Sequence, residues 1–348
     1  MSEGEEKLSR GDVDAACAAF DQAALMAHAA DIELGMLRCQ MQAGQYRQAL
    51  AFAAHTAGVH LDEADGAVFY AWLLNLGSHV AVAEQTLAQA ESRDPAHQAL
   101  HEVRARFRSS LLLPQGDLLK PSLRLAPYAS GVMVPTEAHA VATGVLLADG
   151  EHALVPRAAL PSSAPVRVWL RNGMGQTVSA HVDHGAAQSA AEPEADALPL
   201  VMLHLSAPLP VAGGDVVAPR DPFAGSPVFA LDVPADATSA SPTWPVMRAG
   251  FLGMADARAP AGMTRLGVAL PTNGLRGGPV YDQGGRLVGI AVGQAGSVDR
   301  MLMLSALRQA FGERFGSVAT EVRPHSVSVD ELYERGMRST LQVLFSRP

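Results

Sequence analysis

In the first third of the chain, apolar residues fall at helical spacing on either side of three glycines. Leu34, Leu37 and Met41 precede Gly44, while Tyr46, Ala49, Leu50 and Ala53 follow it, so each flanking segment carries one apolar face. The phrase QAGQYRQALAFA around Gly44 has counterparts in SRGDVDAACAAF around Gly11 and NLGSHVAVAEQTL around Gly77, with successive glycines 33 residues apart. This period predicts three helical hairpins, each turning at its glycine, and the apolar side formed by Leu100, Val103 and Phe107 predicts a capping helix over Ala96 to Phe107.

The pattern changes after Ser109. Pro114, Gly116 and Pro121 mark an irregular linker over residues 109–128, and beyond it short runs of β-formers alternate with turn dipeptides. VATGVLL and HALV flank Asp149-Gly150, VRVWL and TVSAHV flank Asn172-Gly173, and GGPVYD and RLVGIAV flank Gly284-Gly285. So many strands with so little helix predict paired barrels or a sandwich. In the tail, Asp330 to Arg338 reads as a helix capped by Asp330, and Thr340 to Phe345 as a strand. Leu341, Val343 and Phe345 are too apolar to lie free, so this strand is expected to dock on a sheet edge of the first barrel. Docking within the chain is preferred to exchange in a homodimer, because a tether raises effective concentration.

The helical third resembles a tetratricopeptide (TPR) array, with a glycine opening each second helix and a small residue about five positions on, at Ala16, Ala49 and Val82; Asp94-Pro95 ends the third unit. The run TNGLRGGPVYDQGGRLVGIAVG is similar to the nucleophile segment of trypsin-like serine proteases of the HtrA (DegP-like) branch, G-N-S-G-G-P-L-x-(D/N)-x-x-G-x-(V/L)-(I/V)-G-I. Upstream, TGVLLADGEHALVPRAAL resembles the family's histidine segment and LPLVMLHL its D-L-A-L-L-K-V strand; FAGSPVFALDVP, MRAGFLG and MLMLSALRQAF match later segments in order. The resemblance implies a multi-domain α + β chain: TPR-like repeats over 1–108, a linker over 109–128, an all-β chymotrypsin-like double barrel over 129–316, and a helix and strand tail over 317–348. The tail's VSVDELYERGMRSTLQVLF resembles the opening of an HtrA-type domain, displaced to the other end.

A serine-protease triad needs a hydroxyl nucleophile, an imidazole and a carboxylate. Carried over position by position, the resemblance puts Arg276 at the nucleophile, Ala158 at the histidine and Pro199 at the carboxylate, with Gly274, Gly277 and Gly278 as the oxyanion-loop equivalents. Asp196, three residues before Pro199, has neither histidine nor serine to serve. All three functional groups are missing, which implies a pseudoprotease. Arg276 either fills the cleft, offers its guanidinium to an anion, or swings out to solvent. The competing enzyme reading relocates the nucleophile to Ser226 or Ser305; a third makes the β-domain a metal or small-ligand binder. His181 and His184 point to opposite faces of a strand, so no metal site is assigned there. Asn172 to Gly175 reads as a hairpin turn and not a nucleotide loop.

Charge and composition narrow the partners. Of the formal charge of −9, residues 1–107 carry −8, with 7 Lys/Arg against 15 Asp/Glu, which argues against nucleic acid and suits a basic or mixed-charge protein segment. The predicted first helices offer Arg38, Gln42, Tyr70 and Asn75 to such a partner. Only Lys7 and Lys120 stand against 24 arginines, and no G-x-x-x-x-G-K occurs, so P-loop and Schiff-base chemistry are excluded and no cofactor is expected. No apolar run suits a bilayer, and the acidic start does not read as a secretion signal. Cys17 and Cys39 are too few for a disulfide framework and read as core fillers; cytoplasmic residence is the expectation. The whole points to a catalytically inactive protein-interaction scaffold or adaptor.

Overall fold

The computed structural model describes the chain apart from residues 1, 110–111, 161–166, 184–197, 212–216, 237, 256–261, 271–272, 295, 316–325 and 347–348. The helical third comprises α1 (Ser2–Ser9), α2 (Val13–Ala24), α3 (Ala30–Gln42), α4 (Tyr46–Val59), α5 (Ala64–Leu76), α6 (Val80–Arg93) and α7 (Gln98–Arg108). The first six pair as three hairpins, and α7 packs on α5 and α6.

Each hairpin turn closes with a backbone bond spanning five residues: Asp12 to Lys7, Gln45 to Gln40, and His79 to Leu74. The left-handed residue is Gly11 (φ +79°) in the first turn and Gly44 (φ +72°) in the second. In the third it is Ser78 (φ +74°), because Gly77 keeps an ordinary φ of −83°. The third unit is therefore one residue longer, and the small-residue position falls on Ala83, fully buried like Ala16 and Ala49. Val82, which equal spacing selects, is 46% exposed.

One further expectation is corrected in this layer. Cys17 and Cys39 form a disulfide that ties α2 to α3, with Cα atoms 5.5 Å apart. The cysteines therefore give no argument for a reducing compartment. The linker is packed: Leu112, Leu118, Leu123 and Leu125 are buried in the core shared by helices and barrels. None of the described helices is long and apolar enough to cross a membrane.

The β region contains β1 (Ser130–Gly131), β2 (His139–Leu146), β3 (His152–Pro156), β4 (Arg167–Asn172), β5 (Gln176–Val182), β6 (Leu200–Leu205), β7 (Pro227–Asp232), β8 (Val246–Ala255), β9 (Met263–Gly267), β10 (Leu275–Arg276), β11 (Pro279–Asp282), β12 (Leu287–Gln294) and β13 (Arg300–Met303). Helix α8 (Leu304–Phe311) follows, then α9 (Val329–Ser339) and β14 (Thr340–Ser346). Antiparallel pairing closes one barrel in the cyclic order β14-β2-β3-β6-β5-β4 and the other in the order β7-β8-β9-β13-β12-β11. In the second barrel this is the order 1-2-3-6-5-4 along the chain, and the first barrel repeats it when β14 is counted as its first strand. This is a chymotrypsin-like double barrel whose opening strand is supplied by the chain's far end.

The docked tail explains its own composition. Leu341 and Val343 point into the first barrel beside Leu170, Ala142 and Leu203, all buried. The cap of α9 is Ser328, which accepts from the Glu331 N–H at 3.1 Å, and not Asp330. Asp330 instead pairs with His79 at 2.6 Å. Tyr333 packs its ring at a tilt against Tyr46, with centroids 4.3 Å apart, and donates to the Pro245 carbonyl at 2.8 Å, so α9 joins the helical layer to both barrels.

Candidate functional site

The turn that holds Ala158 meets Pro199 on one side and the glycine loop after Arg276 on the other, bringing near one another the three positions that the sequence resemblance assigns to a triad. Ala158 is the middle residue of a short 3-10 turn, Arg157–Ala159, at the end of β3, and its methyl group is exposed. The Arg157 N–H donates to the Pro199 carbonyl at 2.8 Å, bringing the turn against the start of β6. A Cβ on Gly277 would lie 2.6 Å from the Pro156 ring, so the nucleophile loop abuts the same turn. At the three corners stand a methyl group, a pyrrolidine ring and a guanidinium. None of these accepts a proton, and arginine stays charged in proteins.

Arg276 fills the space as a buried cation. It is 3% exposed, ruling out the solvent-facing orientation; Nη1 lies 2.6 Å from Asp232 Oδ2, and Nε lies 3.2 Å from Asp299 Oδ1. The guanidinium is thus matched by two carboxylates of the same chain instead of being offered to an external anion. Thr143 donates its hydroxyl to Asp232 and accepts from the Val233 N–H at 2.9 Å, fixing the carboxylate at the end of β7. Burial pushes the Asp232 carboxyl up to about 7, against the lowering influence of Arg276 and Thr143.

Close packing accounts for the surrounding glycines. A Cβ on Gly278 would lie 2.0 Å from the Leu231 carbonyl, one on Gly277 would lie 2.2 Å from the Thr143 carbonyl, and Gly274 has φ +90°. Leu275 and Arg276 form β10, which pairs parallel to β2 at Ala142 and antiparallel to β12 at Gly293 and Gln294. The would-be oxyanion segment is therefore a strand stitching the barrels together.

The relocated-nucleophile residues lie apart from any such constellation. Ser226 borders a cavity of about 400 Å³ lined by Arg220, Asp221, Phe223, Asp282 and Arg286, with no histidine among its described lining residues. Ser305 is exposed at the start of α8, where its N–H donates to Asp221 at 3.0 Å. Several of the described histidine side chains pair with carboxylates or a backbone carbonyl, as in His79 with Asp330, His152 with Asp149 and His101 with the Pro95 carbonyl. His181 sits in a cross-strand row with His204 and His152, with neighbouring ring centroids 5.2 and 5.1 Å apart. His184 and Asp196 lie outside the described residues. Asn172 makes the hairpin turn, accepting from the Met174 and Gln176 N–H groups, each at 3.1 Å.

The residues proposed for a partner face inward. Arg38 is 3% exposed and pairs with Glu5 while donating to the Ser122 carbonyl at 2.8 Å. Gln42 brackets the backbone of Tyr128, and Asn75, 1% exposed, accepts from Arg248 on β8. Tyr70 is half-buried against the shared core. The first-helix face at Arg38, Gln42 and Asn75 is covered by the chain's own linker and second barrel, so these three residues do not line an open groove.

The residues that reasoning from sequence missed are Asp232 and Asp299. Their signal was an aspartate in the otherwise apolar strand FALDV, since a buried carboxylate requires a partner. Neither a family model nor a curated protein matches the chain. Solved structures to which it is similar include the MamO protease domain from Magnetospirillum magneticum in its apo form, at 19% identity over 51% of this chain and 96% of that one, with a TM-score of 0.34. The scabies mite inactivated protease paralogue S-I1 is 18% identical over 50% of this chain and 92% of its own, with a TM-score of 0.33. An inactive form of Rv3671c from M. tuberculosis is 12% identical over 53% of this chain and 90% of its own, with a TM-score of 0.35.

Proposed function

We propose that this protein is a catalytically inactive serine-protease-like scaffold: TPR-type hairpins mounted on a double barrel whose cleft has become structural. The observation that carries this reading is the Arg276 ion cluster, in which the nucleophile position is occupied by a buried cation held between Asp232 and Asp299. Without hydroxyl, imidazole or orienting carboxylate there is no activated nucleophile, and catalysis falls to what binding alone supplies. Because the first-helix face is covered, the partner surface is assigned to the outer acidic positions of the helical layer, including the exposed Asp14, Asp21, Asp62 and Glu63.

Two experiments on the full chain test this. A fluorophosphonate probe should leave the protein unlabelled, and stoichiometric labelling at Ser226 or Ser305 would establish the enzyme reading instead. The combined change Ala158→His, Pro199→Asp and Arg276→Ser should not yield efficient casein cleavage, because a triad also needs a supporting shell holding its geometry. For the scaffold role, partners recovered with the native chain should be lost on Asp14→Lys, Asp21→Lys, Asp62→Lys and Glu63→Lys together; an unchanged set would refute the acidic surface.

A further inference from the structure

A second cluster of chemistry lies at one corner of the helical layer, away from the barrel cleft. Helix α4 runs back along α3, so its C-terminal end brings His55 and His60 over the first turn of α3, where Glu33 sits. His28 arrives from the connection between α2 and α3. Its Nε2 is 2.9 Å from Glu33 Oε1, and His60 Nε2 is 3.4 Å from the same oxygen. The His28 ring stacks on His60 at 5.1 Å and meets His55 edge-on at 6.2 Å. One ligand atom from each of His28, Glu33 and His55 lies within 4.8 Å of the others.

Burial makes this grouping more than surface crowding. Glu33 is 4% exposed; its Oε2 is buried without a hydrogen-bond partner, and so is His60 Nε2. A buried carboxylate oxygen and a buried imidazole nitrogen that make no hydrogen bond, the nitrogen meeting Oε1 only at 3.4 Å, are both costly, and a cation held by the Glu33 carboxylate and His60 Nε2 offsets that cost. A single protonated histidine answers one oxygen of Glu33 and leaves the remaining imidazole lone pairs unused. A tetrahedral ion with bonds of about 2.0–2.1 Å sets its ligand atoms about 3.3 Å apart, close to the 2.9 and 3.4 Å that already separate His28 and His60 from Glu33 and within the 4.8 Å that bounds His28, Glu33 and His55. The C-terminal end of α4 adds a favourable dipole for positive charge.

We propose that His28, Glu33 and His55, with His60 as the fourth ligand, form a binding site for a borderline divalent transition metal, with Zn2+ as the best fit. Imidazole-rich sets with one carboxylate suit zinc, whereas magnesium and calcium seek oxygen donors. His28 and His55 are exposed, which gives the ion an entry path. The bound ion would clamp the connection between α2 and α3 to the end of α4, adding a cross-link to the repeat layer.

The test is Zn2+ titration of the chelator-treated full chain by calorimetry, with Co2+ absorption reporting the coordination. One equivalent of Zn2+ should bind and raise the melting temperature. The change His28→Ala with His55→Ala should weaken binding by at least about 100-fold, and His60→Ala by about 10- to 100-fold. Because His28 also pairs with the buried Glu33, the metal-free double variant should melt somewhat below the native chain, and the readout is that added Zn2+ no longer raises its melting temperature. His181→Ala, in the separate barrel row, should bind Zn2+ as the native protein does. Absence of Zn2+ binding by the native chain, or binding unchanged by the double variant, overturns the proposal. Loss of binding on His181→Ala would likewise overturn it and move the site to the barrel.

Discussion

Replacing Arg276 by serine tests the buried cluster directly, because it removes the charge that Asp232 needs while keeping a small polar side chain in its place. Asp232 is 1% exposed, and after Arg276→Ser its carboxylate keeps Thr143 but loses the guanidinium at 2.6 Å. Breaking a buried ion pair by removing one partner costs about 3–5 kcal/mol. The pH dependence gives a second signature. Burial raises the Asp232 carboxyl from 3.8 to about 7, so the folded protein holds this proton to a higher pH than the unfolded chain does. Stability from this group is therefore greatest below pH 3.8 and declines as pH rises towards about 7, by at most about 4 kcal/mol at about 1.4 kcal/mol per pH unit. In Arg276→Ser the carboxyl moves higher still, and the decline extends above pH 7. Urea unfolding at pH 5 and pH 8 should show a loss of about 3–5 kcal/mol at the higher pH. At the lower pH, where Asp232 is protonated, a loss of about 1–2 kcal/mol should remain. Adding Asp232→Asn should recover most of the deficit at pH 8. Equal loss at both pH values, or no recovery in the double variant, would refute a buried Asp232–Arg276 pair.

Leu341→Ala should destabilise the protein by about 2–5 kcal/mol, read from urea midpoints, because Leu341 is fully buried in the first barrel. Removal of everything after Gly316 should expose apolar surface to a hydrophobic dye. Gly44→Ala should lower stability by about 1–2 kcal/mol, since the residue has φ +72° and a Cβ there would lie 2.9 Å from the Arg338 guanidinium; an unchanged melting temperature would contradict this turn geometry. The hydrogen bond that the His79 imidazolium donates to Asp330 raises the His79 pKa, so that pair stabilises the fold below the ordinary value of 6.5 and the contribution fades as pH rises through the raised value. Asp330→Asn should therefore lose more stability at pH 6 than at pH 8.5, a difference visible in thermal melts.

What could be read from the sequence was local. The dipeptide Asp149-Gly150 turns at Gly150 (φ +72°), whereas in Asn172 to Gly175 it is Gly175 (φ +85°) and not Gly173 that takes the left-handed conformation; the run Gly277-Gly278-Pro279 marks a backbone approach that no side chain fits. The apolar alternation of Leu341, Val343 and Phe345 demanded a sheet to receive it, and the barrel closes on it. What could not be read was long-range or hinged on a single-residue register. Ser78 takes a conformation usually left to glycine, which shifts the third hairpin and moves the buried position from Val82 to Ala83. Asp232 and Asp299 lie 44 residues before and 23 after Arg276, so no local pattern links them to it. Arg38, Gln42 and Asn75 looked available because helical periodicity identifies a face without naming what covers it. Cys17 meets Cys39 only through the packing of α2 on α3.

Closing the first barrel with the chain's last strand also determines how the two layers depend on each other. Without β14, strands β2 and β4 would both present open edges, since β14 is the strand that pairs with each of them on that side. Open edges invite pairing with other chains, so barrel closure awaits the far end of the sequence. That strand is delivered by α9, whose position is set by contacts on both sides. Arg47 binds Glu334 at 3.0 Å and Arg338 reaches the Gly44 carbonyl at 3.2 Å on the helical side. On the barrel side Gly336 is so close that a Cβ would lie 2.4 Å from Leu231, one residue before Asp232. A side chain at Gly336 would press on the strand end that holds the Arg276 cluster, whereas loss of the α4 contacts would loosen β14. Helix α9 thus couples the helical layer to the strand end that holds the Arg276 cluster, alongside the direct bond from Arg248 on β8 to Asn75 on α5.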